Sequence, residues 1–274
     1  MTPIGILTKD RVDYLDVTLK SLSATDIPDE TPLVVFDDAS THFQTHEYYN
    51  TGRFLRTKPK WPKWHESLGI APVIDEAGFP RGIKGKVEVA TLADAPLGVV
   101  NGSCAAMTQL FARYPYATGV FLLQDDVIFN HDWYTRMLNI AGDSSNFSGK
   151  PLGLLAGLKL NQRLRFSGDP PKVVPSGITA QCIYIPRSAH EVMLPRYTSR
   201  THKITKKFDD TFRRAVGDAG FWAGTIYPYC CQHIGAVSLV RPNKHWNSCP
   251  KGRVGFYVDP TYSISRDVRR FPPA

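Results

Sequence analysis

The chain has 274 residues, a net charge of +8, and 42% hydrophobic against 21% charged residues. That balance excludes a disordered chain, and the length admits one large folded domain. No apolar run approaches the roughly 20 residues that cross a bilayer. The N-terminal "MTPIGILTKD" also lacks the basic segment and long apolar core of a secretory signal, so the expectation is a soluble, intracellular, cytoplasmic protein. The five cysteines (Cys104, Cys182, Cys230, Cys231, Cys249) are odd in number and form no CxxC pair. They read as buried thiols rather than a disulfide framework or a structural zinc site. Charge is unevenly spread: residues 1–50 carry −6 and residues 151–274 carry +12. Such asymmetry suits a polyanionic partner, a nucleotide diphosphate or something longer, with a merely soluble basic surface as the alternative.

In chain order, "PIGILT" (3–8) has the apolar run of a buried strand. Asp10 follows as an N-cap with Asp13 three residues on, where a helix dipole favours an acid. Val12, Leu15, Leu19 and Leu22 then recur at helical spacing. "LVVF" (33–36) is a second buried strand that stops at Asp37 and Asp38. Strand, helix and strand in this order predict a βαβ unit opening a parallel sheet. Residues 51–86 lack any period and are rich in Pro, Gly, Lys and Trp, the composition of a long inserted loop. A helix is predicted at about 101–113, then a strand in "GVFLLQDDVIF" (119–129), a helix in "HDWYTRMLNIA", and a strand at 151–158. A strand at 177–186, a short helix around 188–194 and a helix at 209–220 closed by Gly220 complete the pattern. The class is α/β.

Two strands therefore end in acid pairs, "LVVFDDAS" and "FLLQDDV". In an open parallel sheet, ligands bind just beyond the carboxyl ends of the strands. The plain alternative is that each pair caps a turn or helix. Consecutive strand residues point to opposite faces, so Asp125 and Asp126 would not both reach one ion if the strand continued regularly. A carboxylate beside a bound diphosphate repels it unless a divalent cation bridges the two, and Mg²⁺ or Mn²⁺ suits that task.

These segments, with "ILTKDRVDYLDVTLKSL" ahead of them, resemble the nucleotide-sugar glycosyltransferases of the GT-A fold. "FDDTFRRAVGDAG" resembles that family's acid pair ahead of a helix, and "CCQHIGAVS" the late His-Ile-Gly element of N-acetylglucosaminyltransferase-like members. The matched segments run in the family's order from about residue 4 to 238. The resemblance implies a Rossmann-like, mixed, mostly parallel sheet flanked by helices, in one domain over residues 1–274. Residues 1–130, with the inserted loop 51–86, would form the nucleotide-binding half. Residues 131–274, with a basic C-terminal tail, would form the acceptor-binding half.

The resemblance also implies roles. Thr8 and Arg11 would lie by the nucleobase and Asp38 by the nucleoside. Asn101, just before a helix, would contact ribose or phosphate, or else cap the helix. Where the family has Asp-x-Asp, this chain has Gln124-Asp125-Asp126, so the first acid is an amide that can bond a ribose hydroxyl but brings no charge to a metal. Mn²⁺ or Mg²⁺ would then sit on Asp126, with Asp125 as its neighbour and His233 as the distant ligand. Asp210 would be the general base, deprotonating the acceptor hydroxyl in a displacement that inverts the anomeric centre. The alternative is that Asp209 and Asp210 simply begin a helix.

The expected function is transfer of a sugar from a nucleotide sugar, a UDP-sugar, to an acceptor hydroxyl. "RTKPKWPKWHE" interleaves cations with indoles, which suits stacking on bases with phosphate contacts, and equally suits sugar rings. With the basic second half, it points to a hydroxylated base in DNA as acceptor. A cell-surface glycan or a lipid-linked acceptor is the alternative, and so is a non-catalytic nucleic-acid or carbohydrate-binding module. A nucleotidyltransferase is disfavoured because "ILTKDRVDY" has no glycine-rich phosphate loop.

Overall fold

The computed structural model describes residues 1–41, 87–158, 172–175, 179–200, 208–227 and 229–233. The first half contributes β1 (Ile4–Thr8), α1 (Val12–Leu22), β2 (Leu33–Asp37), β3 (Glu88–Thr91), α2 (Gly98–Arg113), β4 (Gly119–Gln124) and β5 (Val127–Phe129). The second contributes α3 (Trp133–Gly142), β6 (Leu152–Ala156), β7 (Lys172–Val174), β8 (Cys182–Pro186), α4 (Arg187–Arg200), α5 (Phe208–Asp218), β9 (Trp222–Tyr227) and β10 (Cys231–His233). Eight strands form one sheet in the order β3-β2-β1-β4-β8-β6-β9-β7. Neighbours β3, β2, β1 and β4 run parallel, as do β6 and β9, while β8 is antiparallel to both β4 and β6 and β7 is antiparallel to β9. The sheet is thus mixed and mostly parallel, the expected α/β class. The predicted insertion at 51–86, the Lys/Trp segment and the basic tail lie outside the described residues.

Alternation along the strands builds two cores. Ile4, Ile6, Val35, Phe121 and Leu123 face α1 and α3, while Leu7, Val34, Phe36, Val120 and Leu122 face α2, α4 and α5. Helix layers on both faces explain why the central strands are apolar throughout rather than alternating with polar residues. Gly5 has a packing reason: a Cβ there would meet Leu110 Cδ1 at 2.8 Å and Phe36 Cε2 at 2.9 Å. α2 therefore presses onto β1 at a place that admits no side chain.

Several boundaries differ from the sequence-based ones. Asp10 does not cap α1: it adopts a left-handed φ of 48° and its carboxylate accepts a hydrogen bond from Thr41 N at 2.8 Å. The residue preceding the helix is Arg11. α2 begins at Gly98, which puts Asn101 inside the first turn rather than before it. α4 extends to Arg200 through Pro195. β3, β7 and β10 were not visible in the sequence because each has only three or four residues, too few for a period to show. Among the described residues no helix is long and apolar enough to cross a membrane. Cys104, Cys182, Cys230 and Cys231 are free and buried.

α2 and α4 meet at a buried histidine. Arg187 donates to the carbonyls of Ala117 and Tyr114 at 2.9 Å and of Phe111 at 3.3 Å, so a cation closes the C-terminal end of α2. His190 stacks on Phe111 at 4.8 Å between ring centroids, and its buried Nδ1 has no partner among the described residues. Burial, with the charge of Arg187 added, lowers the imidazole from 6.5 to about 4. Between those values the unfolded chain binds a proton that the folded chain does not. Stability from neutral His190 is therefore complete above pH 6.5 and is lost as pH falls toward 4. Denaturant melts across this range should show the wild type losing up to about 3 kcal/mol that His190→Phe retains; parallel curves for the two proteins would refute it.

Candidate active site

The acid pair lies where the third parallel connection, from β3 to β4, reverses direction. From β1 the chain steps outward through β2 to β3, then returns to place β4 on the other side of β1. The carboxyl ends of β1 and β4 therefore flank a topological switch point, the crevice where open α/β sheets take ligands. β4 ends at Gln124, opposite Leu7 of β1, and the chain bends through Asp125 and Asp126 before β5 resumes at Val127. That two-residue bend suspends the strand alternation, so neighbouring carboxylates can turn toward a common partner.

That partner is Arg11. Its Nη1 donates to Asp125 Oδ1 at 3.0 Å, and its Nη2 lies 2.7 Å from Asp126 Oδ2. The second contact is an ion pair without a well-directed hydrogen bond. The Tyr14 ring lies beneath the guanidinium, 4.4 Å from its carbon. Thr8 Oγ1 donates to the other oxygen of Asp125 at 2.8 Å. His233 Nε2 lies 3.0 Å from Asp126 Oδ2. The antiparallel β5–β10 ladder pairs His233 with Val127, which delivers the imidazole to the acids across 107 residues of sequence. Asp126 Oδ1 and His233 Nδ1 are buried and have no hydrogen-bond partner among the described residues.

Burial would raise the pKa of Asp126, but the Arg11 charge and the His233 contact outweigh it and hold the carboxyl well below the usual range. Burial acts downward on Arg11, and the two carboxylates outweigh it, raising the guanidinium above its ordinary value. Asp126 is thus a carboxylate throughout the neutral range, and Arg11 its permanent counter-ion.

The second acid pair is arranged differently. Asp37 accepts from Ser40 N at 2.9 Å and from the Ser40 hydroxyl, which itself accepts from Asp10 N at 2.8 Å. Asp38 accepts from Leu97 N at 2.6 Å and Gly98 N at 2.9 Å, so its carboxylate satisfies the N-terminus of α2 from a remote strand end. Asn101 is exposed on that helix, with Nδ2 3.4 Å from Leu97 O. Gln124 is half-buried at the strand end. Asp210 is the third residue of α5, and its side chain lies outside the described residues. The structure therefore brings Thr8, Arg11, Asp125, Asp126 and His233 together, and sets Asp38 and Asn101 at the start of α2.

Two supporting residues escaped the sequence. Thr18 Oγ1 donates to the carbonyl of Asp125 at 2.7 Å and accepts from Val127 N at 3.1 Å. Ser21 Oγ accepts from Phe129 N at 2.8 Å. The hydroxyls of α1 thus act as a third strand for β5, whose other edge pairs with β10. The signal was available: Thr18 and Ser21 sit among Leu15, Leu19 and Leu22 on the helix's apolar stripe, where a polar residue needs a partner.

No family model matches the sequence, and no characterised protein matches it in sequence. Solved structures do match. Residues 1–349 of Staphylococcus aureus TarS in complex with UDP-GlcNAc superpose with a TM-score of 0.51 at 13% identity, covering 87% of this chain and 62% of that one. The mannosyltransferase PcManGT of Pyrobaculum calidifontis, in complex with GDP-Man and Mn²⁺, gives 0.49 at 13% identity over 85% of this chain and 56% of its own. A further S. aureus TarS structure gives 0.49 at 13% identity over 86% of this chain and 37% of its own. The fold comparison rests on the first of these. The chain spans at most 62% of the length of these three structures. Its fold is the GT-A-like fold of nucleotide-sugar glycosyltransferases.

The hydroxyl of Thr18 carries two buried bonds, one to the carbonyl of Asp125 and one from Val127 N. Thr18→Val keeps the shape and removes both, which should cost about 1–3 kcal/mol in chemical denaturation. An unchanged midpoint would show that the acid bend does not depend on this hydroxyl.

Proposed function

We propose that this chain transfers a sugar from a nucleoside-diphosphate sugar, a UDP-sugar, to an acceptor hydroxyl with a divalent cation, Mn²⁺ or Mg²⁺. The observation that carries this is the meeting of Thr8, Arg11, Asp125, Asp126 and His233 at the switch point between β1 and β4. Fold likeness alone leaves function open, so the weight falls on that cluster.

The residues fit a divalent cation. Such ions are commonly held by one or two carboxylates, with substrate phosphate oxygens filling the remaining positions. No group of three metal-binding side chains occurs among the described residues, but Asp126 keeps one buried oxygen without a partner, with His233 alongside. Asp126 and His233 would hold the ion, which when bound offsets the charge growing on the departing diphosphate. On the donor side, Thr8 and Arg11 would meet the nucleobase and Gln124 the ribose. Asp38 and Asn101 would flank the nucleoside from the start of α2, and Asp125 would hold Arg11 in place. Asp210 would accept the acceptor's hydroxyl proton as that oxygen bonds to the anomeric carbon. The bond from that carbon to the diphosphate breaks in the same step, releasing nucleoside diphosphate and inverting the centre.

For the acceptor, the +12 balance of residues 151–274 and the Lys/Trp segment at 56–66 support a hydroxylated base in DNA. A salt-sensitive, sequence-independent affinity for DNA is expected, and no binding at low salt would remove this acceptor.

The decisive assay incubates the chain with UDP-, GDP- and TDP-sugars and Mn²⁺ and measures release of nucleoside diphosphate. UDP-GlcNAc, the ligand of the TarS complex, is the first to try. Release is expected from a UDP-sugar and should fall about a hundredfold or more in Asp126→Asn. Silence across the whole panel overturns the proposal.

A further inference from the structure

A cation at a helix N-terminus faces the positive end of the helix dipole. Arg11 occupies that position immediately before Val12 of α1, and its side chain makes no capping bond. The acid pair holds it there. One guanidinium spans both carboxylates, and exposure of the three side chains is 15% for Arg11, 4% for Asp125 and 5% for Asp126. The two halves of this bridge are unequal. Asp125 is fastened by a directed bond from Arg11, a second from Thr8 and a third to its carbonyl from Thr18. Among the described residues Asp126 receives only the ion pair and the His233 contact, and its Oδ1 has no partner.

A dication on Asp126 would therefore enter beside a guanidinium already in contact with the same carboxylate. In a site this shielded, like charges repel with little screening. Two carboxylates less one guanidinium leave a single negative charge for a doubly charged ion, and the surplus must be met by something else. A diphosphate would meet it.

We infer that Arg11 is the internal counter-ion of the acid pair and holds the cation position of Asp126 until a diphosphate arrives. The free protein then resists divalent metal, and the ion enters together with the donor. As it does so, Arg11 keeps Asp125 and yields Asp126. This rests on the proposed metal and diphosphate chemistry, but its consequence for the free protein requires no sugar transfer.

Mn²⁺ titrations of the full chain, followed by electron paramagnetic resonance of the free ion, test it with and without UDP. Without UDP, Arg11→Met should bind Mn²⁺ about tenfold more tightly than the wild type, while Arg11→Lys stays close to it. UDP should tighten Mn²⁺ binding to the wild type by about tenfold or more, and tighten the Met variant less. Circular dichroism checks that each variant is folded, and Arg11→Gln is read the same way if the Met variant is not. Equal or weaker Mn²⁺ binding by the neutral variant overturns the inference, and so does wild-type affinity that ignores UDP. Sugar-donor turnover is a separate readout. Turnover with no change in Mn²⁺ affinity removes the counter-ion role alone, and tighter binding without turnover removes the transfer proposal alone.

Discussion

Two adjacent carboxylates withdrawn from water must find charge or hydrogen bonds inside the fold, and the surroundings of Asp125 and Asp126 follow from that requirement. The elements that meet them bring two hydroxyls, a guanidinium and an imidazole. β1 ends in the Thr8 hydroxyl, the turn into α1 supplies the Arg11 guanidinium, α1 itself offers Thr18, and β10 brings the His233 imidazole. Without them the ionised pair would be strongly disfavoured in so shielded a place. The small β5–β10 sheet carries the His233 imidazole to Asp126, as β1 of the main sheet carries the Thr8 hydroxyl to Asp125.

The two acid pairs look alike in sequence and have opposite fates. Asp37 and Asp38 spend oxygens on Ser40 and on the backbone of Leu97 and Gly98, tying β2 to the head of α2, while the Ser40 hydroxyl accepts from Asp10 N in the loop after β1. Asp126 is left with an oxygen that the described residues do not use, beside a histidine and opposite the Arg11 guanidinium. Buried polar groups are normally satisfied, and an exception inside a crevice is where binding chemistry is to be sought.

Arg11 gives the site a character of its own. A helix N-terminus ordinarily welcomes anions, yet here a guanidinium stands before α1 because its charge is spoken for by the acids. The electrostatics of α1, the acid bend and the crevice between β1 and β4 are therefore one coupled problem. A change at Arg11 reaches the helix and the carboxylates together.

Much of the architecture was legible in the chain itself. The apolar runs at β1, β2 and β4, the period of α1 and the acids at the strand ends follow from local composition, and local composition is what periodicity reports. Asp125 and Asp126 stood out as strand-end acids, and the resemblance to GT-A glycosyltransferases named Thr8, Arg11 and His233 as individual candidates. Three things belonged to the tertiary structure. The bend after Gln124 lets two consecutive acids share one guanidinium, which regular strand alternation forbids. The short strands β3, β7 and β10 form by pairing with distant partners and leave no period behind. The last is which acids are spent and which retain an unused oxygen: identical Asp-Asp pairs cannot reveal it, because apart from Ser40, three residues from Asp37, the partners named here are 59 to 117 residues away along the chain.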